Sequence, residues 1–200
     1  IGYLLSRFNK IGVREGSGVD ICKNTFRTKA FHVLDPVFLL KANEWKQIAN
    51  IRTVAFDNIY YIVNAELDKE AETCLKNFKS IRYNLNIEDW LGTLLNAKFI
   101  VTDSFHALCF CLIFNKQFVY VGKNNGRQER VRSLFKMFEL PLTSFLLDEK
   151  LDEQAILSST KIDYTNWDKK LKPWIDLSEQ FLKDALNDEN TKIYDPYYFL

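Results

Sequence analysis

The sequence lacks a surplus of either charge: 27 Lys+Arg stand against 26 Asp+Glu, a formal net charge of +1 over 200 residues. No global field therefore recruits a polyanion or an anionic membrane, and generic nucleic-acid binding is disfavoured. Histidine is nearly missing, with only His32 and His106. The four cysteines, Cys22, Cys74, Cys109 and Cys111, form no CxxC pair, so the ordinary His/Cys zinc spacings are absent and no protein metal site is expected. Nothing resembles a disulfide framework. Cys109 and Cys111 stand in an apolar run, where free cysteine behaves as a small hydrophobe. The expectation is a reducing, cytoplasmic compartment, with peripheral association at the inner membrane face left open. No apolar run reaches the roughly 18 residues of a spanning helix, and the longest, residues 107–114, suits a short buried element. There is no signal-peptide pattern, no internal repeat and no Gly- or Ser-rich linker. The chain opens at Ile1 in mid-pattern without an initiator Met, which reads as a piece of something longer.

What is present is apolar payload. At 47% hydrophobic and 14% aromatic, with 16 Phe and 9 Tyr, the chain can bury a real core. Its charge is also unevenly placed: residues 148–200 carry 12 acids against 7 lysines, net −5, which leaves +6 for residues 1–147. Any anion site belongs in the basic part. There, short β-rich runs alternate with helical periodicity, the mark of βαβ units and a parallel sheet with helices on both faces. The expected fold class is therefore α/β and Rossmann-like, with a helical C-terminal tail.

Strands are expected at residues 11–14, 31–34, 59–63, 81–83, 99–101, 118–121 and 145–147. Helices are expected from a start signal at Ser17 or Asp20, and over 43–49, 68–78, 87–96, 105–114 and 127–138. Beyond residue 148 the texture turns helical and charged, with helices over 151–158 and 164–187 and Pro173 as a kink or break in the second. The domain expectation is residues 1–147 as the sheet domain and 148–200 as a tail packing back on it.

The most informative segment is residues 99–121: a strand, the turn Thr102-Asp103-Ser104, an apolar helix containing His106, and another strand. The turn puts Asp103, Ser104 and His106 at a helix N-terminus at the carboxyl end of a parallel strand, where open α/β sheets bind ligands. The helix dipole favours an anion there. Two readings stand side by side. In one, Asp103 or Ser104 is only a helix cap and His106 makes an incidental hydrogen bond; in the other, the three polar groups are assembled for chemistry. Lys123, Arg127, Arg130, Arg132 and Lys136 form a basic patch after the strand ending at Val121. Arg127, nearest the turn, is the one expected to reach the same anion, while most such charges are a solvated helix face. Asp35-Pro36 terminates a strand, with lining of an interdomain cleft as an equal alternative; His32 is expected to be a packed or edge residue; and the Trp and Tyr residues of the tail, which could stack on sugar rings, are expected to be core and docking residues.

Residues 97–101 followed by TDSFHA, an apolar helix and FNK resemble the C-terminal signature of the polysaccharide pyruvyl transferase family. Three further segments agree in order and spacing over about residues 8–147: Phe8-Asn-Lys-Ile-Gly-Val-Arg-Glu15 with Ser17-Gly-Val and Cys22; His32-Val-Leu-Asp-Pro-Val-Phe-Leu-Leu40 with Trp45; and Gly126-Arg127 leading to Arg132-Ser-Leu-Phe-Lys136. The resemblance implies one half of a GT-B-like pair of Rossmann-type domains. It also implies transfer of the pyruvyl group of phosphoenolpyruvate to a sugar of a cell-surface glycan, with formation of a cyclic ketal. By the same resemblance Arg14 of the VRE segment binds the donor's carboxylate or phosphate, and His106 binds phosphate or transfers a proton. Asp103, Ser104 and Arg127 join them as donor-binding candidates. Many relatives carry a basic residue shortly before this histidine, where this chain has Ser104 and Phe105. No cofactor is implied; the partners are phosphoenolpyruvate and a glycan or lipid-linked sugar acceptor. Two other functions remain open on the sequence, a GT-B glycosyltransferase using a nucleotide sugar and a catalytically silent binding fragment.

Overall fold

A computed structural model describes residues 1–81, 85–124, 126, 128–159 and 161–187. In chain order these form α1 (Gly2–Leu5), β1 (Gly12–Val13), α2 (Gly16–Asn24), β2 (Phe31–His32), α3 (Ala42–Ile48), β3 (Asn58–Tyr61), α4 (Ala65–Cys74) and β4 (Lys79–Ser80). Then follow α5 (Ile87–Asn96), β5 (Phe99–Thr102), α6 (Phe105–Ile113), β6 (Gln117–Gly122), α7 (Glu129–Phe138), β7 (Phe145–Leu147), α8 (Glu153–Leu157) and α9 (Trp167–Leu186). The chain divides into two compact units, residues 36–167 and residues 1–35 with the C-terminal segment from 168.

The larger unit is α/β. Five parallel strands lie in the order β4-β3-β5-β6-β7. Counted within this sheet the order is 2-1-3-4-5, so the chain reverses its direction of travel between β3 and β5, the topological switch of a doubly wound sheet. Apolar residues alternate along each strand and supply both faces. Tyr60, Val101, Val119 and Val121 face Leu67 and Ala71 of α4 and Ile156 of α8. The other face carries Tyr61, which meets Trp90 of α5, and Phe118, which meets Phe135 of α7. α6 fills this side: every residue from Ala107 to Ile113 is buried, so the helix is apolar all round. The expected Rossmann-like sheet with helices on both faces is what the chain forms. The segment after β7 continues into this unit, where Leu151 and Ile156 join the core and Trp167 packs on Phe138 at 4.9 Å.

The smaller unit holds the parallel pair β1-β2, with Gly12 opposite Phe31 and Val13 opposite His32. α9 packs against it through Phe181 on Phe31 and Trp174 on His32, both at 5.4 Å. The Leu34 N–H donates to Ser178 Oγ at 2.9 Å. Gly12 is small for a reason: a Cβ there would sit 3.0 Å from both Phe181 and Val33.

Several local expectations shift. α2 begins at Gly16 behind an extended Glu15 that makes no side-chain cap, so neither Ser17 nor Asp20 starts it. The helix expected from residue 68 begins at Ala65, because the Asn64 side chain accepts from the N–H groups of Glu66 and Leu67. Pro173 lies inside α9 without breaking it. The strand expected at 81–83 pairs instead at Lys79–Ser80, and residues 82–83 lie outside the described residues.

Candidate functional site

The Thr102-Asp103-Ser104 turn works mostly on the backbone. Thr102 Oγ1 donates to the Tyr61 carbonyl at 2.6 Å and accepts from the Ser104 N–H at 3.0 Å. Both carboxylate oxygens of Asp103 reach the neighbouring turn, accepting from Val63 N–H at 2.7 Å and Asn64 N–H at 2.8 Å. Ser104 is the N-cap of α6, its Oγ accepting from the Ala107 N–H at 3.4 Å. These three residues therefore clamp the carboxyl ends of β3 and β5 together across the topological switch and start the helix. His106, one residue into α6, is the member whose side chain is exposed, with its ring edge-on to Phe105 at 5.5 Å.

Above these turns opens a cleft of about 570 Å³, within the range of small-molecule sites. Val63 and Asn64 form one wall, and Asp103, Ser104 and His106 line it from the β5–α6 turn. The third side comes from β6 and the start of α7: Tyr120, Lys123, Gln128 and Arg130. The Arg130 guanidinium lies 4.7 Å from the centre of the Phe105 ring, a cation–π contact that holds it beside the first turn of α6. Lys123, Arg130 and His106 thus meet a helix N-terminus in one concavity, a setting that favours an anion.

The charges of this cleft act on one another. Burial pushes the Asp103 carboxyl above its usual range; the Val63 and Asn64 N–H groups pull it down, and the charge of Asp68 adds to the rise. The Tyr120 phenol is pushed up to about 12, by burial first and the Asp103 charge second, with Arg130 opposing. Tyr61 is raised by the same two causes. Both phenols therefore stay neutral in the physiological range.

Arg14 stands in the smaller unit, where its guanidinium is hydrogen-bonded and ion-paired to the buried carboxylate of Asp35. Asp35, beyond ending a strand, thus orients the VRE arginine. His32 packs on Trp174, and its Nε2 lies 3.3 Å from the Arg14 carbonyl. Arg127 lies outside the described residues. Arg132 bonds Asn124 Oδ1 at 3.1 Å and stacks on Phe145, a surface role. Tyr120 and Gln128 were not legible as site residues, because one reads as a strand aromatic and the other as a turn polar residue. The FNK motif is a helix stop: Asn115 takes a left-handed φ of 55°, and the Lys116 N–H closes on the Cys111 carbonyl at 2.8 Å. Among the described residues no group of three or more His, Cys, Asp or Glu is placed to hold a metal ion. No described helix is long and apolar enough to cross a membrane.

The strand order and a cationic cleft at the switch point define a class of protein, a Rossmann-like α/β domain with the ligand position such sheets use. The family model for polysaccharide pyruvyl transferases matches residues 1–125, and the chain belongs to that family. Membership indicates the general kind of reaction, transfer of a pyruvyl group in polysaccharide synthesis. No curated protein and no solved structure matches the chain. The matched segment contains the whole TDSFHA turn and ends before Gln128 and Arg130.

Proposed function

We propose that the chain transfers the pyruvyl group of phosphoenolpyruvate to two hydroxyls of one sugar in a cell-surface polysaccharide, forming a cyclic ketal and releasing phosphate. One observation carries the reading: His106, within the family-matched segment, lines the same cleft as Lys123 and Arg130. Phosphoenolpyruvate carries a phosphate and a carboxylate, and cationic side chains beside a helix N-terminus match both.

The chemistry requires a proton at the methylene carbon of the donor, attack of a first hydroxyl on the adjacent carbon, loss of phosphate, and attack of the second hydroxyl. Of the two hydroxyl protons, one is balanced by the new methyl group and the other leaves with phosphate. His106 suits proton transfer or phosphate binding, because imidazole can either carry a proton or donate a hydrogen bond and this one lines the cleft. Arg130 and Lys123 would take the donor's anionic groups. Arg14, oriented by Asp35, and Arg127 remain further donor-binding candidates on the strength of the family pattern. Asp103 contributes by shaping the turn, its two oxygens engaged by the Val63 and Asn64 N–H groups, while Ser104, whose Oγ accepts from the Ala107 N–H, keeps an O–H that would donate to the donor's anion. In this reading residues 1–147 form one half of a GT-B-like pair of domains, and the reaction runs in the cytoplasm.

The test is phosphate release by the full-length protein incubated with phosphoenolpyruvate and its own glycan. The expected result is turnover that His106→Ala reduces at least a hundredfold, in line with the 10²–10⁴-fold contribution of general acid–base groups. Equal phosphate release by wild type and His106→Ala would sink the reading. Tight binding of a uridine diphosphate sugar without competition from phosphoenolpyruvate would replace it with nucleotide-sugar chemistry.

A further inference from the structure

The cleft is chemically divided. His106, Lys123 and Arg130 supply positive charge or protons, whereas Tyr120 and Gln128 on the β6–α7 side are uncharged, buried and polar, with 4% and 7% of their surface exposed. Gln128 is the N-cap residue of α7 but makes no side-chain cap bond, so its carboxamide is not spent on the helix. Its Oε1 is buried and has no hydrogen-bond partner among the described residues. A buried acceptor left without a donor is unfavourable by about 1–3 kcal/mol, and native proteins keep such groups where a ligand completes them or where function needs them.

The missing partner must be a donor. The phosphate and carboxylate of an anionic substrate offer acceptors only and cannot satisfy a carboxamide oxygen. A sugar hydroxyl can. Gln128 lines the cleft, its Nε2 would lie 3.4 Å from a Cβ placed on Gly122, and its oxygen is buried. Turning the carboxamide outward would break no hydrogen bond of Oε1, because it has none among the described residues.

We propose that Gln128 is a specificity-determining residue that accepts a hydrogen bond from a hydroxyl of the saccharide acceptor, so that one cleft holds the anionic donor on its cationic side and the sugar on its neutral side. This rests on the pyruvyl-transfer reading for the identity of the two ligands. The position lies outside the segment matched by the family model, so it depends on this chain's own geometry.

Three measurements on the full chain separate the roles open to Gln128, using Gln128→Met, which keeps volume and removes both polar atoms, beside Arg130→Ala. The melting temperature of Gln128→Met should equal or exceed that of wild type, since an orphaned acceptor is replaced by an apolar group. Calorimetric titration with phosphoenolpyruvate should give a Kd within threefold of wild type for Gln128→Met, and one at least tenfold weaker for Arg130→Ala. Titration of the phosphoenolpyruvate-loaded protein with methyl glycosides of glucose, galactose, mannose and N-acetylglucosamine should give binding to wild type that Gln128→Met weakens at least fivefold. A lowered melting temperature would make Gln128 a structural residue, and a phosphoenolpyruvate loss like that of Arg130→Ala would make it a donor ligand; either overturns the proposal. So would glycoside binding that is absent in wild type or indifferent to the substitution. Failure of wild type to bind phosphoenolpyruvate while Gln128-dependent glycoside binding persists would instead overturn the donor reading and leave this one standing.

Discussion

Asp103 illustrates how one side chain can resemble a ligand-binding group and act as a clamp. Its two oxygens accept from the Val63 and Asn64 N–H groups, and those residues form a wall of the cleft. Because burial raises its carboxyl pKa, the folded chain binds that proton more tightly than the unfolded chain does. Its stabilising contribution is then fully present below the ordinary carboxylate pKa of about 3.9 and declines as pH rises through the raised value. Asp103→Asn cannot titrate and presents an N–H to one of the two donors it must satisfy. The expected outcome is a lower melting temperature for the variant, with wild type's margin narrowing as pH rises above the ordinary carboxylate value of about 3.9. A margin that widens as pH rises would show the carboxylate to be favoured by folding and the sign to be reversed.

Single elements are placed by a few close contacts. α5 approaches the loop after α3 so tightly that a Cβ on Gly92 would lie 2.0 Å from the Asn50 carbonyl oxygen and 2.8 Å from its carbon. The same loop is tied by Asn50 N–H to the Glu88 carbonyl at 2.8 Å and by Asn50 Nδ2 to Asp89 Oδ1 at 2.7 Å. Gly92→Ala must push backbone against backbone, and overpacking of this kind is unfavourable by about 1–3 kcal/mol or more. Urea unfolding should show a loss of about 3 kcal/mol, and a variant within about 0.5 kcal/mol of wild type would mean the loop yields freely. Behind this contact, Phe110 of α6 receives Trp45 and Trp90 edge-on at 4.9 and 5.4 Å. Aromatic pairs of this geometry add to the area they bury, and here they fix the helix that presents His106.

At the scale of the molecule, the C-terminal helix is shared out by its partners rather than by its position in the chain. Trp167, at its start, packs with Phe138 and Tyr164 in the larger unit. From residue 168 it serves the smaller one, through Trp174, Ser178, Phe181 and an ion pair of Asp184 with Lys10 at 3.4 Å. The two-stranded pair β1-β2 is too small to be stable alone, and α9 covers it through Phe181 on Phe31 and Trp174 on His32. Deletion of residues 168–200 should therefore abolish hydrogen-exchange protection of β1 and β2 while leaving β3, β5 and β6 protected. Retained protection at Val13 and His32 would show that the pair is stable without the helix. The smaller unit also contains Arg14, so a loosened unit would carry the VRE arginine with it.

Much of the larger unit was legible in the sequence. Strand and helix runs announce themselves through β-branched and aromatic clusters of four to six residues and through apolar residues at helical spacing, so β5, α5 and β7 fall where periodicity puts them. Asn64 was readable as a cap in principle, since an Asn before a helical run is a start signal, yet the periodicity alone began the helix later. The TDSFHA turn could be found because polar residues opening an apolar helix stand out, and the family resemblance is carried by local motifs that need no fold to be recognised. What the sequence could not apportion is the use of those polar residues. Thr102, Asp103 and Ser104 became clamp and cap, leaving His106 with the exposed side chain, only because parallel pairing sets Tyr61 beside Thr102. Tyr120, Gln128 and Arg130 join the cleft for the same reason: β6 lies next to β5, and side chains distant in sequence from the TDSFHA turn arrive within one cavity. Local propensity and motif therefore determined the elements and the kind of chemistry, whereas strand order, which depends on long-range pairing, decided which groups meet at the site.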